Sequence, residues 1–472
     1  MKVLFIVPPE MYSIESYTSD KIIKTREFRP RLGILYVAGY LRDKMGIIPD
    51  IVDCPAEDIE INDIKNVIDK YNPDIVGLSV LTFNLLECLE VAKSIKRIKR
   101  DIKICFGGFH PTLYPEETLN FDSVDFVVVG EGEKPFAQLI DRLIKDKNCN
   151  DLNDIGGIGW KDTNGKINLN APGEAAQNLD DLGMPAHDLI DLSKYSHALS
   201  NEPYTAYIQT SRGCPFKCSF CDIRETKFRI RSEEMVIREL KLLVQKGVKE
   251  IFFLDDTITV NKKKLIALCH RIIDEGLKIK YKISSRVNTV NEEMLAALKK
   301  SGCYRIHYGV ESGSQRILDS LQKGITIEQI KRAFEMTKKS GISTYAYLMV
   351  GAPSETMEDF EATVSLVNTI QPDYITYSIC TPFPKTLLYN DLLKRGYYKS
   401  DYWHEFATKP TPDFKLQYAN EYFSEIELKK LRDEAMAGFY RKGSFIFKEL
   451  LHTRSIKQLA RKAKIGYRLL FK

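Results

Sequence analysis

The sequence predicts an α/β protein: a doubly wound parallel sheet first, a partial (β/α)6 barrel second and a helical C-terminal region last. Three observations predict it. Short apolar runs alternate with helical stretches over residues 1–145. A second strand–helix series fills 204–385. From 386 to 472 the chain is polar, helical in pattern and finally basic. Strands separated by helices cross over and pair in parallel, and a parallel sheet is covered on both faces. The chain has 472 residues, 44% hydrophobic and 28% charged, which excludes disordered and fibrous classes. Its length allows roughly two to four domains.

The runs of the first series are KVLFIV (2–7), PDIVD (49–53), DIVGLSV (74–80), IKICFGG (102–108) and DFVVVG (125–130). Between them ILYVAGYLRDKMG, DIKNVIDKY and LLECLEVAKSIKRIKR repeat their apolar residues every three to four positions, as amphipathic helices do. The opening MKVLFIV has one Lys and no small-residue cleavage site after it, so it reads as a first buried strand and not a secretion signal. No apolar run approaches the ~18–20 residues of a membrane span.

Ligands of doubly wound sheets sit at the carboxyl ends of the strands. The loops there are Pro8-Pro9, Ser79-Val80-Leu81-Thr82, Gly107-Gly108-Phe109-His110-Pro111 and Gly130-Glu131-Gly132-Glu133. Glycines at strand ends let backbone approach a ligand and offer N–H donors. One such loop is a tight turn; four on one edge read as a ligand platform. No G-x-G-x-x-G follows the first strand, so the dinucleotide fingerprint is absent. Residues 146–203, rich in Asn, Asp and Gly, read as a connector with one hairpin signal at Thr163-Asn164-Gly165.

The second series has strands YTAYIQT (204–210), EIFFLDD (250–256), KYKISSR (280–286), YRIHYGV (304–310), TYAYLMV (344–350) and DYITYSI (373–379). Six such units make an incomplete barrel, whose chemistry sits at the carboxyl ends of its strands. Just beyond the first of these strands lies Ser211-Arg212-Gly213-Cys214-Pro215-Phe216-Lys217-Cys218-Ser219-Phe220-Cys221, a C-x3-C-x2-C spacing. Three thiolates on one loop hold three irons of a cubane and leave the fourth iron open. Zinc is the alternative, but no nearby His completes a zinc motif, His197 and His270 being remote. The other seven of the ten cysteines are scattered, too dilute for a disulfide scaffold. A reducing cytoplasm and one metal site is the economical reading.

At the cysteine triad the sequence resembles the radical S-adenosylmethionine (SAM) superfamily, with Phe220 as the aromatic before the last Cys. The resemblance implies a 4Fe-4S cluster on Cys214, Cys218 and Cys221 and a SAM molecule chelating the open iron. It implies SAM contacts from Phe220, from Asp255 and Asp256 (in Leu-Asp-Asp where the family has Gly-Gly-Glu), from Ser285 and Arg286, from Glu311 and Ser312, and from Gly351 and Pro353. Leu32-Gly33-Ile34-Leu35-Tyr36, Gly107-Gly108-x-His110-Pro111 and Gly130-Glu131-Gly132-Glu133 resemble the cobalamin-binding domain that precedes many such barrels.

The two resemblances imply a Rossmann-like first domain and a TIM-type radical SAM barrel as the second. The cobalamin-domain resemblance implies cobalamin contacts from Ser79, Thr82, Gly107, Gly108, His110, Gly130, Glu131 and Gly132. The D-x-H-x-x-G motif that supplies a lower cobalt ligand elsewhere is absent.

Within this subset, which includes hopanoid-type methylases and the anaerobic magnesium-protoporphyrin IX monomethyl ester cyclase, the implied reaction is reductive SAM cleavage, hydrogen abstraction from an unactivated carbon and methyl transfer from methylcobalamin. An external one-electron donor of flavodoxin or ferredoxin type is implied as partner. The in-class alternative is oxidative cyclisation or another radical rearrangement on a tetrapyrrole or lipid. The out-of-class alternative is a cobalamin-binding sensor with a vestigial cluster. Tyr377 and Cys380, at the end of the sixth barrel strand, read as packed residues first, with the substrate side as the alternative.

Net charge is +5, but residues 441–472 alone carry +9, leaving the rest at −4. This basic tail interleaves Phe, Leu and Ile, a pattern of helices that lie on anionic membranes, so peripheral membrane contact and a lipid-like substrate are an expectation alongside a helix packed on the barrel. No recognition motif accompanies the charge, so nucleic-acid binding is not expected.

Overall fold

The computed structural model describes residues 1–12, 28–146, 151–195, 200, 202–224, 226–443 and 445–446. The chain divides into two units. The first contains the N-terminal strand, Phe28–Tyr195 and Ser400–Lys415; the second contains 202–399 and 416–443.

The first unit is a seven-stranded sheet of β1 (Val3–Val7), β2 (Asp50–Asp53), β3 (Ile75–Ser79), β4 (Lys103–Gly107), β5 (Phe126–Val128), β6 (Ile158–Lys161) and β7 (Ile167–Leu169), in the order β2-β1-β3-β4-β5-β6-β7. The first five pair in parallel, with Leu4 beside Asp50 on one side and Val76 on the other. This is the doubly wound order whose switch point lies between β1 and β3. Two apolar layers cover the sheet: Leu4, Ile6, Val76, Leu78 and Phe106 face one side, and Val3, Phe5, Cys105, Phe126 and Val128 face the other. Both faces are buried, hence the unbroken apolar runs.

The expected connector is not a linker over all its length. β6 and β7 form a hairpin around Asp162–Lys166 and extend the sheet antiparallel to β5. Residues 400–415 also return to this unit. Trp403 is fully buried, its ring 5.8 Å from that of Phe83, and Phe406 joins the core while stacking at 4.2 Å on Phe414.

The second unit is a six-stranded, wholly parallel sheet: β8 (Ala206–Ile208), β11 (Glu250–Phe253), β12 (Lys280–Ser285), β13 (Cys303–Glu311), β14 (Ser343–Val350) and β15 (Tyr374–Ile379). Its order is sequential from β8 to β15, with those two strands at the edges, as an incomplete barrel requires. A small pair, β9 (Ser211–Arg212) and β10 (Arg229–Ile230), brackets the cysteine loop. Helix 425–440 packs on β15, where the buried Tyr440 hydroxyl donates to the Ile375 carbonyl at 2.7 Å. No helix among the described residues is long and apolar enough to cross a membrane. All of the basic tail beyond Ile446 lies outside the described residues.

Candidate active site

The cysteine loop begins at Gly213, whose φ of +87° and whose approach to the Lys227 carbonyl, 2.3 Å from where a Cβ would stand, admit only glycine. The Cys214 N–H donates to Thr226 Oγ1 at 2.8 Å, closing the loop on β10's approach. Ser219 fixes the far end: its N–H and Oγ both donate to the Leu321 carbonyl, and its own carbonyl accepts from Leu388 N–H at 2.8 Å. Cys214 and Cys218 are buried and Cys221 half-buried. Burial pushes the Cys221 thiol up to about 12, with Asp222, Cys218 and Cys214 adding to it. Among the described residues no three His, Cys, Asp or Glu side chains close on a single ion's position. The donor set, three thiols on one loop, is that of a cubane held through three of its irons.

Asp255 lies at the end of β11 and is used inward. It accepts from the Thr210 N–H at 3.0 Å, from Thr210 Oγ1 at 2.8 Å and from Ser211 Oγ, so it anchors the start of the cysteine loop. Burial raises its carboxyl nonetheless. Asp256 is the one exposed to solvent. Although the residue as a whole is exposed, its carboxyl is partly buried, and that burial first and Asp255 and Asp222 next push it up to about 7.

At the end of β12, Ser285 Oγ lies 2.8 Å from Thr259 Oγ1, and Arg286 turns toward the cysteines. Glu311 sits past a bulge in β13 at φ +67°, a conformation rare for a side chain that re-aims it at the strand end. It pairs with Lys323 Nζ at 2.7 Å, both buried, and the same ammonium lies 5.7 Å over the Phe220 ring. Ser312 is buried against Thr363 at 3.2 Å.

Beyond β14, Gly351 takes φ +82° and its N–H, with that of Ala352, donates to Glu355 Oε2. Pro353 is buried beside them. The other Glu355 oxygen is buried with no partner among the described residues, and burial pushes the carboxyl up to about 7. Asn420 ties the loop down by donating to the Ala352 and Glu355 carbonyls at 2.7 and 3.0 Å. An orphaned oxygen at this strand end fits a polar ligand there. Tyr377 and Cys380 are 1% exposed, so as they stand both are packed residues.

Lys323, Glu355 and Asn420 were not legible as site residues. Lys323 and Asn420 reach the site from 12 and 68 residues along the chain, whereas Glu355 acts within its own loop.

On the first unit's edge, Gly108 takes φ +104°, and a Cβ there would stand 2.9 Å from the Val80 carbonyl. Gly130, at φ +84°, is exposed and has open space around it, and its N–H donates to Thr112 Oγ1 at 3.0 Å. Ser79, Gly107, Glu131 and Gly132 are half-buried. Thr82 and His110 are buried and hydrogen-bond each other at 3.2 Å. Burial lowers His110 to about 3, so the imidazole is neutral and props the loop. This edge offers backbone and small residues, which fits a large corrin rimmed with amides.

Residues 208–367 match the radical SAM superfamily, and residues 22–140 match the B12-binding domain family. The chain is 36% identical, over 95% of each chain, to an uncharacterized methyltransferase of Pyrococcus horikoshii. This chain belongs to the radical SAM superfamily, in the group that carries a cobalamin-binding domain. It is an enzyme, and the cofactors of its family are the 4Fe-4S cluster, SAM and cobalamin. The anaerobic magnesium-protoporphyrin IX monomethyl ester cyclase of Rubrivivax gelatinosus is 31% identical, covering 77% of this radical SAM chain and 66% of the relative. Among solved structures, the cobalamin-dependent radical SAM enzyme OxsB with aqua-cobalamin and SAM bound aligns at a TM-score of 0.73 and 19% identity, over 98% of this chain and 72% of that one, a likeness of fold.

Proposed function

We propose that this enzyme methylates an unactivated carbon of a small-molecule or lipid-like substrate, with its cluster on Cys214, Cys218 and Cys221. The observation that carries the reading is the strand-end set of the second unit: three neighbouring thiols, with Asp256, the Glu311–Lys323 pair and the Gly351–Glu355 loop at successive strand ends of one parallel sheet. When bound, the cluster supplies the electron that cleaves SAM to a deoxyadenosyl radical, and cobalamin supplies the methyl group.

The chain's own residues position and shield. Gly213 and Ser219 fix the two ends of the cysteine loop. Asp256, at the mouth, offers a carboxyl to a cationic amine. Glu311 and Ser312 would offer an acid and a hydroxyl to polar groups of SAM, and the Gly351–Pro353 backbone would back its base. Gly107, Gly108, Gly130 and Gly132 offer backbone to cobalamin. The apolar packing around these loops excludes water from a reactive radical. An external low-potential flavodoxin- or ferredoxin-type protein delivers the electron. The limits 1–145, 146–203, 204–385 and 386–472 are kept as functional divisions, with 400–415 serving the first.

A second reading, oxidative ring formation, draws on the cyclase likeness. Anaerobic reconstitution with iron, sulfide and cobalamin, then incubation with SAM and substrate, separates the two. Deoxyadenosine together with adenosylhomocysteine supports methylation. Deoxyadenosine alone supports ring formation. Neither product overturns both.

A further inference from the structure

Arg286 stands out because each of its three nitrogens has a fixed acceptor, one of them a cysteine of the triad. Its Nη1 donates to Cys218 Sγ at 3.1 Å. Its Nη2 donates to the Lys323 carbonyl and its Nε to Asn288 Oδ1 at 3.3 Å. The guanidinium lies 4.0 Å from the centre of the Phe216 ring, a residue of the same loop. The side chain is 5% exposed.

Its backbone is fixed as firmly. The Arg286 carbonyl accepts from Thr289 Oγ1 at 2.9 Å and from Ser285 Oγ at 3.2 Å, and Thr259 joins both hydroxyls. An arginine needed only to clamp a mobile carboxylate would gain nothing from this stacking and from three fixed acceptors. A cation held against a metal-ligating sulfur does gain: hydrogen bonds to cluster sulfurs and nearby positive charge favour the more reduced state.

We propose that Arg286 is a positioning residue for electron transfer, setting the cluster's reduction potential through its bond to Cys218. The inference rests on the assignment of the cluster to the triad. One electron from the external low-potential carrier adds one negative charge to the cluster and its thiolates, with no bond made or broken. Arg286 stabilises that added charge. Lys323 does not duplicate it, because its ammonium is committed to Glu311.

The test is an EPR-monitored redox titration of the anaerobically reconstituted full chain, as wild type, Arg286→Lys and Arg286→Met, with iron and sulfide counted in each. Arg286→Met, with full iron, is expected to make reduction at least tenfold harder, about 59 mV more negative for a one-electron couple. Arg286→Lys keeps the charge but not the planar fork, and falls between the two. A wild-type potential in Arg286→Met with full iron overturns the proposal and leaves the triad standing. Should Arg286→Met fail to hold a cluster, Arg286→Lys decides: a shifted potential supports the proposal and an unchanged one overturns it. A wild type that holds no iron sinks the cluster assignment itself, a different failure.

Discussion

The parallel strands of this enzyme's two sheets end in opposite chemistries. The loops of the first sheet carry Gly108 and Gly130 at positive φ, half-buried small residues, and a neutral His110 turned inward. Those of the second carry thiols, Asp255 and Asp256, Arg286, the Glu311–Lys323 pair and Glu355. Both edges occupy the same place in their folds, the carboxyl ends of parallel strands. The difference teaches that such an edge has no chemistry of its own. On the proposed reading a large corrin is held chiefly by shape and backbone, whereas a charged sulfonium and a cluster call for fixed charges. Fixed charges in turn need buried partners, so the second edge is where ionic networks accumulate.

The sharpest way to break this contrast is Cys218→Ala. Deoxyadenosine formation should drop to background while cobalamin binding, measured by equilibrium dialysis, stays within about twofold. Cleavage that survives the substitution would remove the triad from the chemistry.

Glu355→Gln has the next largest effect, on stability. The carboxyl holds its proton up to about 7 in the folded state, above its ordinary value of 4.5. The folded state therefore binds more protons than the unfolded one between those values. Stability falls as pH rises through that window, by on the order of 3 kcal/mol. Urea midpoints at pH 5 and pH 8 should differ in the wild type and by less in Glu355→Gln, the remainder coming from Asp256, whose carboxyl is likewise pushed up to about 7. Equal differences would mean that Glu355 is not the group responsible.

Smallest is Gly108→Ala. Forcing a Cβ into φ +104°, 2.9 Å from the Val80 carbonyl, costs about 1–3 kcal/mol of stability, and the loop shift that relieves it should weaken cobalamin binding with iron content unchanged. An effect on SAM binding instead would erase the distinction between the edges.

The sequence made the strands legible because each is an apolar run closed by turn residues, and the triad legible because its spacing lies on one loop. What escaped it was set by contacts between distant segments. Trp403 and Phe406 lie on a short helix over Tyr402–Thr408 in a polar stretch, with Phe414 just beyond it, and only the fold shows that they finish the first core. Asn420 reaches residues 352 and 355, and Lys323 reaches Glu311, across intervals that no local pattern spans. Arg286 was visible as a strand-end cation, but nothing in its neighbours announced Cys218 as its acceptor. The hairpin at 158–169 was signalled by its turn, while its pairing with β5 was not.

The return of residues 400–415 has a consequence for how the enzyme is made. The ribosome releases the whole second unit's sheet before Trp403 and Phe406 emerge. Until then the earlier unit waits with an unfilled hydrophobic socket. Neither half can be cut free by trimming one end, and a chain stalled short of that aromatic plug presents quality-control machinery with two half-finished bodies rather than one finished and one pending.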